Sequence, residues 1–252
     1  MPVCFSRVRF ADSSLGFTYA PPAQLARYCL SRGGYVCTPN ALMLEEARTS
    51  LPFRRILEEA SVLTPDGIGA LALLRLSGIR TARNTGVSLG LAVAAECART
   101  GKSLFLYGSL PGRAEAAAHM LCHRYPRLHI ADTLDGYTPT FREAIARIRE
   151  SQADAVFVCL GSPMQERFMH RCGKDGRCYF GLGGSLDIYA GALRRAPRAF
   201  RAHGFEWLFR ILSEPKRIKK MPKLAKFYLD CGFDLVKQLN FHEKKEEIHG
   251  KR

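Results

Sequence analysis

The sequence predicts a Rossmann-like α/β fold: a mostly parallel sheet with helices on both faces, followed by a basic, amphipathic helical appendage. The sheet is predicted because short β-branched or aromatic runs recur along the chain, and segments with helical periodicity separate them. Strand, helix and strand repeated in this order favour parallel pairing. The appendage is predicted because the composition becomes basic and aromatic after Gly191.

The strands are predicted from short apolar runs rich in β-branched and aromatic residues. In chain order they are residues 35–38, 61–64, 103–107, 128–131, 155–160 and 178–183. Each run is too short for a helix and is followed by glycine, proline or a small polar residue. The carboxyl ends of the strands should therefore lie together at one edge of the sheet.

The helices are predicted where apolar residues recur at three- and four-residue spacing. In chain order they are residues 42–59, 67–77, 87–100, 112–125 and 140–151, with a further amphipathic helix after Pro222. We divide the chain into an α/β core at 1–193, a basic helical appendage at 194–241 and a polar tail at 242–252.

The charge of the chain indicates an anionic partner. The formal net charge is +15, and the segment 194–226 holds eleven Lys and Arg against two acids, which is nine of those charges. The nine cysteines include no C-x-x-C pair, which favours reduced thiols in the cytosol. No signal-peptide pattern opens the chain and Glu96 interrupts the longest apolar run, so we expect a cytosolic or peripheral membrane protein.

Small, polar and acidic residues follow the predicted strands, where a parallel sheet binds its ligands. The stretch SVLTPDGIG ends a strand on Asp66 and Gly67. A carboxylate at such an edge can serve as a general base for a hydroxyl that reaches it. The alternative is that Asp66 only caps the following helix, because Pro-Asp-Gly is ordinary turn and N-cap chemistry.

Two glycine-rich loops, GSLPGRAE at 108–115 and GLGGSLD at 181–187, allow a ligand to approach the backbone closely. Neither matches a P-loop or a complete dinucleotide fingerprint, and each also suits a plain turn between a strand and a helix. No Asp-x-Asp pair is present, and His119 with His123 has no evident third ligand. We therefore expect neither a metal nor a cofactor.

The basic appendage admits three interpretations. Lys and Arg with interspersed aromatic residues suit a solvated face or a nucleic-acid footprint. The proline-punctuated amphipathic pattern around Trp207 instead favours an anionic membrane surface. We adopt the interpretation that residues 194–241 bind an anionic membrane surface, and we expect no nucleic-acid partner.

The order of motifs resembles that of the WecG/TagA/CpsF bacterial glycosyltransferases over about residues 34–220. The motifs are TPNALMLEEAR (38–48), TPDGIG (64–69), RNTG (83–86), LYGSLPG (106–112), DGY (135–137), LGSPMQE (160–166), GLGGSLDIYAG (181–191), RRAP (194–197) and GFEWLFRILSEPKR (204–217). Ordered matches across so many loops are far more specific than one glycine motif.

The resemblance implies a metal-independent, inverting transferase at the inner face of the cytoplasmic membrane. Such enzymes move a sugar of the N-acetylmannosamine type from a UDP donor to polyprenyl-diphosphate-linked N-acetylglucosamine, for cell-surface polysaccharide or teichoic acid. A homo-oligomer is left open. Two alternatives also stay open: the same fold transferring N-acetylmannosaminuronic acid or glucose, and a non-catalytic nucleotide- or RNA-binding protein.

The resemblance also assigns roles to residues. Asp66 matches the catalytic base, and Thr38, Asn40 and Gln165 match polar residues around the reacting sugars. The residues that we expect to bind substrate are Arg83, Gly108, Ser109, Asp135, Gly136, Tyr137, Gly161, Glu166 and Gly184, with Arg210, Arg217 and Lys220 of the appendage over the diphosphate.

Three positions depart from the family pattern. Lys220 stands where arginine is expected, and it keeps the charge without the bidentate fork. Leu186 and Tyr189 replace a common aromatic residue and a frequent tryptophan, which bears on sugar preference more than on fold.

Overall fold

A computed structural model describes residues 3–11, 13–81, 83–173, 175–197, 200, 209, 218–219 and 221–232. Three predicted site residues, Arg210, Arg217 and Lys220, lie outside these residues, as do Trp207 and the predicted polar tail at 242–252.

The described residues form one eight-stranded sheet with the order β1-β2-β4-β3-β8-β7-β5-β6. The strands are β1 Cys4–Phe10, β2 Ser13–Tyr19, β3 Gly34–Cys37, β4 Val62–Leu63, β5 Ser103–Gly108, β6 His129–Leu134, β7 Ala155–Cys159 and β8 Cys178–Gly181. Only the edge strand β1 pairs antiparallel, with β2, and the other described pairings are parallel. The predicted mostly parallel sheet is confirmed.

Helices connect the parallel strands. They are α1 Pro22–Arg32, α2 Ala41–Thr49, α3 Leu51–Glu58, α4 Gly67–Leu76, α5 Gly86–Thr100, α6 Arg113–Arg124, α7 Phe141–Glu150, α8 Met164–Cys172 and α9 Ser185–Tyr189, and residues 221–232 form a further helix, α10. No helix in the described ranges combines the length and the apolar character needed to cross a membrane.

The sheet separates two apolar cores, because successive side chains of a strand point to opposite faces. In β5, Phe105 and Tyr107 join one core, whereas Leu104 and Leu106 join the other. The first core receives side chains from α2, α3, α4, α7, α8 and α10, and the second from α1, α5, α6 and α9. The prediction of helices on both faces is therefore confirmed.

The helix predicted over residues 42–59 is wrong in one respect, because the chain forms two helices there. Ser50 separates α2 from α3, and its hydroxyl accepts a hydrogen bond from the Phe53 amide at 3.4 Å. Pro52 lies in the first turn of α3, where its missing N–H breaks no helical hydrogen bond. A serine cap followed by proline therefore begins a new helix at this point.

Two stretches interpreted as loops also begin helices. Met164, Gln165 and Glu166 form the first turn of α8, and Ser185 is the first residue of α9. Their side chains therefore lie on rigid elements at the rim of the sheet.

The helix predicted after Pro222 is α10, and its apolar side packs on the core. Phe227 is 0% exposed and lies in the first apolar core with residues of α2 and α4. Lys226 Nζ lies 3.0 Å from Glu45 Oε1, and Lys223 Nζ lies 3.3 Å from Glu46 Oε2. The C-terminal region is thus joined to α2 by both apolar and ionic contacts.

Candidate active site

A pocket opens where β3, β4, β7 and β8 end, the position at which parallel sheets bind ligands. It contains about 490 Å³ of space, part of it open to solvent. Its lining comprises Thr38, Asn40, Met43, Asp66, Thr85, Gly86, Val87, Ser162, Gln165, Leu182, Gly183, Gly184 and Ser185. Five predicted site residues, Thr38, Asn40, Asp66, Gln165 and Gly184, therefore meet in one pocket.

Asp66 is the one ionisable side chain among the described lining residues. It occupies the N-cap position of α4 with φ −112° and ψ 134°, yet its side chain makes no capping hydrogen bond to that helix. Its backbone amide donates to the Pro39 carbonyl at 3.1 Å, which ties the end of β4 to the segment after β3. Asp66 therefore lies at the N-cap position of α4 without capping that helix through its side chain.

Thr38 and Asn40 are held by the elements that follow β3. The Thr38 hydroxyl donates to the Gly181 carbonyl at 3.0 Å, across to the end of β8. Asn40 caps α2, because its Oδ1 accepts from the amides of Leu42 and Met43 at 3.0 and 3.2 Å. Both side chains are thus fixed before any ligand enters.

Gln165 is buried and held at both ends of its amide. Its Oε1 accepts from the Gly183 amide at 2.9 Å, and its Nε2 donates to Glu166 Oε1 at 2.7 Å. Glu166 is 0% exposed and does not line the pocket. Burial raises the pKa of the Glu166 carboxyl, and hydrogen bonds from Gln165 and Ser162 act in the opposite direction.

The ends of β5 and β6 form a second group of predicted residues beside the pocket. Gly108 has φ +125°, and a side chain there would collide with the Cys159 carbonyl, so the position requires glycine. The Gly136 amide donates to the Ser109 carbonyl at 2.9 Å. The Ser109 hydroxyl donates to Asp187 Oδ1 at 2.5 Å. Because Asp187 belongs to α9, this group is linked to Gly184 at the pocket wall.

The remaining described site residues lie around this rim. The Gly161 carbonyl accepts from the Gln165 amide at 2.9 Å at the start of α8. Asp135 accepts hydrogen bonds from the amides of Tyr137 and Thr138 at 2.8 Å. Desolvation acts to raise the pKa of Asp135, but these amides lower it overall. Tyr137 is 73% exposed and does not line the pocket.

Arg83 is partly buried and lies outside the pocket lining, two residues before Thr85. The intervening Asn84 is buried and donates to the Ala20 carbonyl at 2.9 Å and to Thr64 Oγ1 at 3.2 Å. The segment that carries Arg83 is thereby fixed to the end of β4.

Several lining residues were not predicted as site residues. Thr85, Ser162, Gly183 and Ser185 all line the pocket. Arg195 Nη2 donates to the Thr85 hydroxyl at 3.2 Å, which brings a guanidinium to the edge of the pocket. These positions lie within the motifs RNTG, LGSPMQE, GLGGSLDIYAG and RRAP. The order of these family motifs along the chain is the one sequence signal that could have identified them as site residues.

A second, wider cleft is basic. Arg75, Gly78, Arg80 and Thr81 line it, at the end of α4 and in the segment that follows. Within the described part of the chain, no group of three or more His, Cys, Asp and Glu residues is arranged to hold a metal ion.

Comparison with known proteins identifies the family. Residues 15–241 match the profile described as the Glycosyl transferase WecG/TagA/CpsF family. A relative from Bacillus spizizenii is 30% identical over 225 residues, which cover 88% of this chain and 87% of the relative. That relative is named N-acetylglucosaminyldiphosphoundecaprenol N-acetyl-beta-D-mannosaminyltransferase. The chain therefore belongs to the WecG/TagA/CpsF family and is a glycosyltransferase.

Proposed function

We propose that the protein transfers N-acetylmannosamine from a UDP donor to polyprenyl-diphosphate-linked N-acetylglucosamine, with inversion at the anomeric carbon and without a metal. The name of the Bacillus relative supports the transferred sugar and the lipid-linked acceptor. The product would enter teichoic acid or another cell-surface polysaccharide.

One observation carries the proposal: a pocket at the rim of the sheet holds a single described carboxylate among neutral polar groups. Asp66 accepts the proton of the acceptor hydroxyl as that oxygen attacks the anomeric carbon of the donor sugar. The bond from that carbon to the diphosphate breaks, and its electron pair leaves with UDP. Attack opposite the leaving group inverts the configuration.

Neutral hydrogen-bonding groups would orient the sugars. Thr38 and Asn40 lie in the segment between β3 and α2, Gln165 lies in α8, and each side chain is fixed by hydrogen bonds to the backbone. Side chains that are fixed in advance lose little conformational entropy when substrate binds. They can therefore align the acceptor hydroxyl with the anomeric carbon of the donor sugar. The glycine turns at Gly108, Gly136, Gly161 and Gly184 would border the nucleotide beside the sugar.

Charge that develops on the departing diphosphate needs cationic groups. Arg195 already reaches the pocket edge through Thr85, and Arg83 lies on the same segment as Thr85. We expect Arg210, Arg217 and Lys220 to complete a cationic cover when donor and acceptor are bound.

The lipid of the acceptor stays in the bilayer, so the pocket must be brought to the membrane. We expect the basic appendage at 194–241 to bind the anionic inner face of the cytoplasmic membrane, with the enzyme acting as a peripheral protein.

A turnover assay tests the proposal. Purified protein is given a polyprenyl-diphosphate N-acetylglucosamine acceptor and, in parallel, UDP-N-acetylmannosamine, UDP-N-acetylmannosaminuronic acid or UDP-glucose. We expect transfer from UDP-N-acetylmannosamine to exceed the others, in EDTA as well as in Mg²⁺. A preference for another donor would reassign the sugar, and no transfer from any donor would contradict the proposed function.

A further inference from the structure

Glu166 is a buried acid that the proposed chemistry does not use. It lies in the first turn of α8, 0% exposed, directly behind the pocket-lining Gln165. Within the described ranges it forms no ion pair with Lys, Arg or His, and its Oε2 has no hydrogen-bond partner of good geometry. A buried carboxyl without a cation destabilises a fold. Its presence beside the pocket calls for a functional explanation.

The hydrogen bonds around Gln165 define what Glu166 does. The Gly183 amide can only donate, so the Gln165 oxygen must face it, at 2.9 Å. The Gln165 nitrogen then faces Glu166, whose Oε1 accepts at 2.7 Å. An amide held at both its oxygen and its nitrogen keeps one orientation, whereas an amide held at one end can rotate about its terminal bond.

The Gln165 amide is also closely packed. The Gln165 nitrogen lies 3.1 Å from the point that a side chain at Gly181 would occupy, so the amide packs closely on β8. Ser162, which lines the pocket, is also close enough to the Glu166 carboxyl to lower its pKa. Glu166 therefore touches two pocket-lining residues while its own atoms stay out of reach of a ligand.

We propose that Glu166 is a positioning residue of the transferase: it fixes the orientation of the Gln165 amide toward the sugar without contacting substrate. The inference rests on the proposed function, because it assigns Gln165 to the sugar. It replaces the expectation that Glu166 binds substrate directly.

A double-mutant cycle on turnover tests the inference. Gln165→Ala removes the amide, and Glu166→Ala removes only the acceptor that orients it. We expect each to lower kcat by about 10- to 100-fold, because a misplacement of about 1 Å can reduce a rate 100-fold. The double variant should be no slower than Gln165→Ala alone, since Glu166 has nothing left to orient. Losses that multiply would overturn the inference.

Two further variants separate positioning from stability. Glu166→Gln keeps an oxygen that can accept from Gln165, so it should restore kcat to within a few-fold of the wild-type value. Glu96→Ala is the matched control, because Glu96 is also a buried glutamate but lies in α5 about ten residues, or roughly 15 Å, beyond the pocket end of that helix. It should leave kcat unchanged. A Glu166→Gln variant as slow as Glu166→Ala would contradict positioning.

A readout without turnover keeps this inference distinct from the proposed function. The side-chain amide protons of Gln165, assigned by their loss in Gln165→Ala, should give an NMR signal that shifts on Glu166→Gln substitution and becomes averaged in Glu166→Ala. Unchanged signals would overturn the inference even if transfer is observed. If the NMR signals change as expected but the protein transfers no sugar, the contact between Glu166 and Gln165 is supported and only the proposed reaction is contradicted.

Discussion

Asp66 and Glu166 are two acids at the same edge of the sheet, in opposite surroundings. Asp66 lines the pocket, whereas Glu166 is fully buried behind Gln165. A base must meet its substrate, and a positioning group is most effective when packing holds it still. The two environments therefore match the two roles that we assign.

Glu166 should make stability depend on pH. Burial raises its pKa above the ordinary value of 4.5, so the folded state holds the proton more tightly than the unfolded state. Stability conferred by the protonated group is complete below pH 4.5 and is lost as the pH rises through the folded pKa. Glu166→Gln should therefore gain Tm relative to the wild type as the pH is raised from about 4 toward 8.

Thermal melts of both proteins across that pH range measure the effect. Titration of the neighbouring Cys37 thiol should not contribute to the change in Tm over this range. Burial, and to a smaller extent the charge of Glu166, raises the pKa of Cys37 well above its ordinary value. A difference in Tm that stays constant with pH would show that Glu166 does not titrate in this way.

At the scale of elements, α10 joins the C-terminal region to the helices that carry the pocket. Phe227 packs against Gly69 of α4, where the nearest ring carbon lies 3.1 Å from the point that a side chain would occupy. Ala41 of α2 is the other close neighbour of Gly69, and α2 begins directly after Asn40. Contacts of α10 therefore reach the elements that place Asn40 and Asp66.

Truncation of Phe227 should measure this attachment. Phe227→Ala should lower the free energy of unfolding by about 3–5 kcal/mol in urea titrations, because it leaves a cavity in the core. Leu229→Ala is the control, because Leu229 is an apolar residue of the same helix that is 64% exposed, and its effect should stay within about 0.5 kcal/mol. Equal effects of the two substitutions would show that α10 is not docked as described.

The inner parallel strands β5, β7 and β8 could be predicted because they are buried on both faces and read as apolar runs. The hairpin β1–β2 was not predicted, since it lies at the sheet edge and β1 buries only Val8 and Phe10, with Ser6 and the exposed Phe5 interrupting the alternation of apolar and polar residues. Helix α1 was also missed, because it buries only Leu25, Ala26 and Cys29. Short half-exposed elements carry too little apolar periodicity to be recognised from sequence.

The site was predicted in part for a similar reason. Residues that directly follow strands, such as Thr38 and Asp66, could be assigned to one rim from topology alone. The different positions of Gln165, which lines the pocket, and Glu166, which does not, could not be predicted. Both residues belong to one motif and differ only in the side of α8 that they occupy. That distinction appears only when β8 is packed against the helix.

At the scale of the whole molecule, the charge is unevenly distributed. The segment 194–226 has nine of the fifteen net positive charges, in 33 of 252 residues. The described end of this region is attached to the core through α10, and the exposed Arg75 and Arg80 add a further basic surface beside α4. A surface of this kind is expected to bind anionic lipid, and its binding is expected to weaken with salt.

Vesicle flotation tests the membrane assignment. The protein should float with vesicles containing about a third anionic lipid and dissociate progressively as salt rises, while neutral vesicles leave it at the bottom of the gradient. A variant that changes Lys216 and Lys219 to Gln should be released from the vesicles at lower salt than the wild type. Flotation that ignores lipid charge would contradict the assignment, and tight salt-sensitive RNA binding without lipid binding would favour the nucleic-acid alternative.

The most direct measurement of the central claim compares Asp66→Asn with Asp154→Asn in the transfer assay. Asp154 lies at the opposite, amino-terminal edge of the sheet, where it accepts from the Ser103 amide at 2.8 Å. If Asp66 is the general base, its substitution should lower kcat by about 100-fold or more and leave UDP affinity unchanged, and Asp154→Asn should keep full turnover. A near-normal rate for Asp66→Asn would contradict the account.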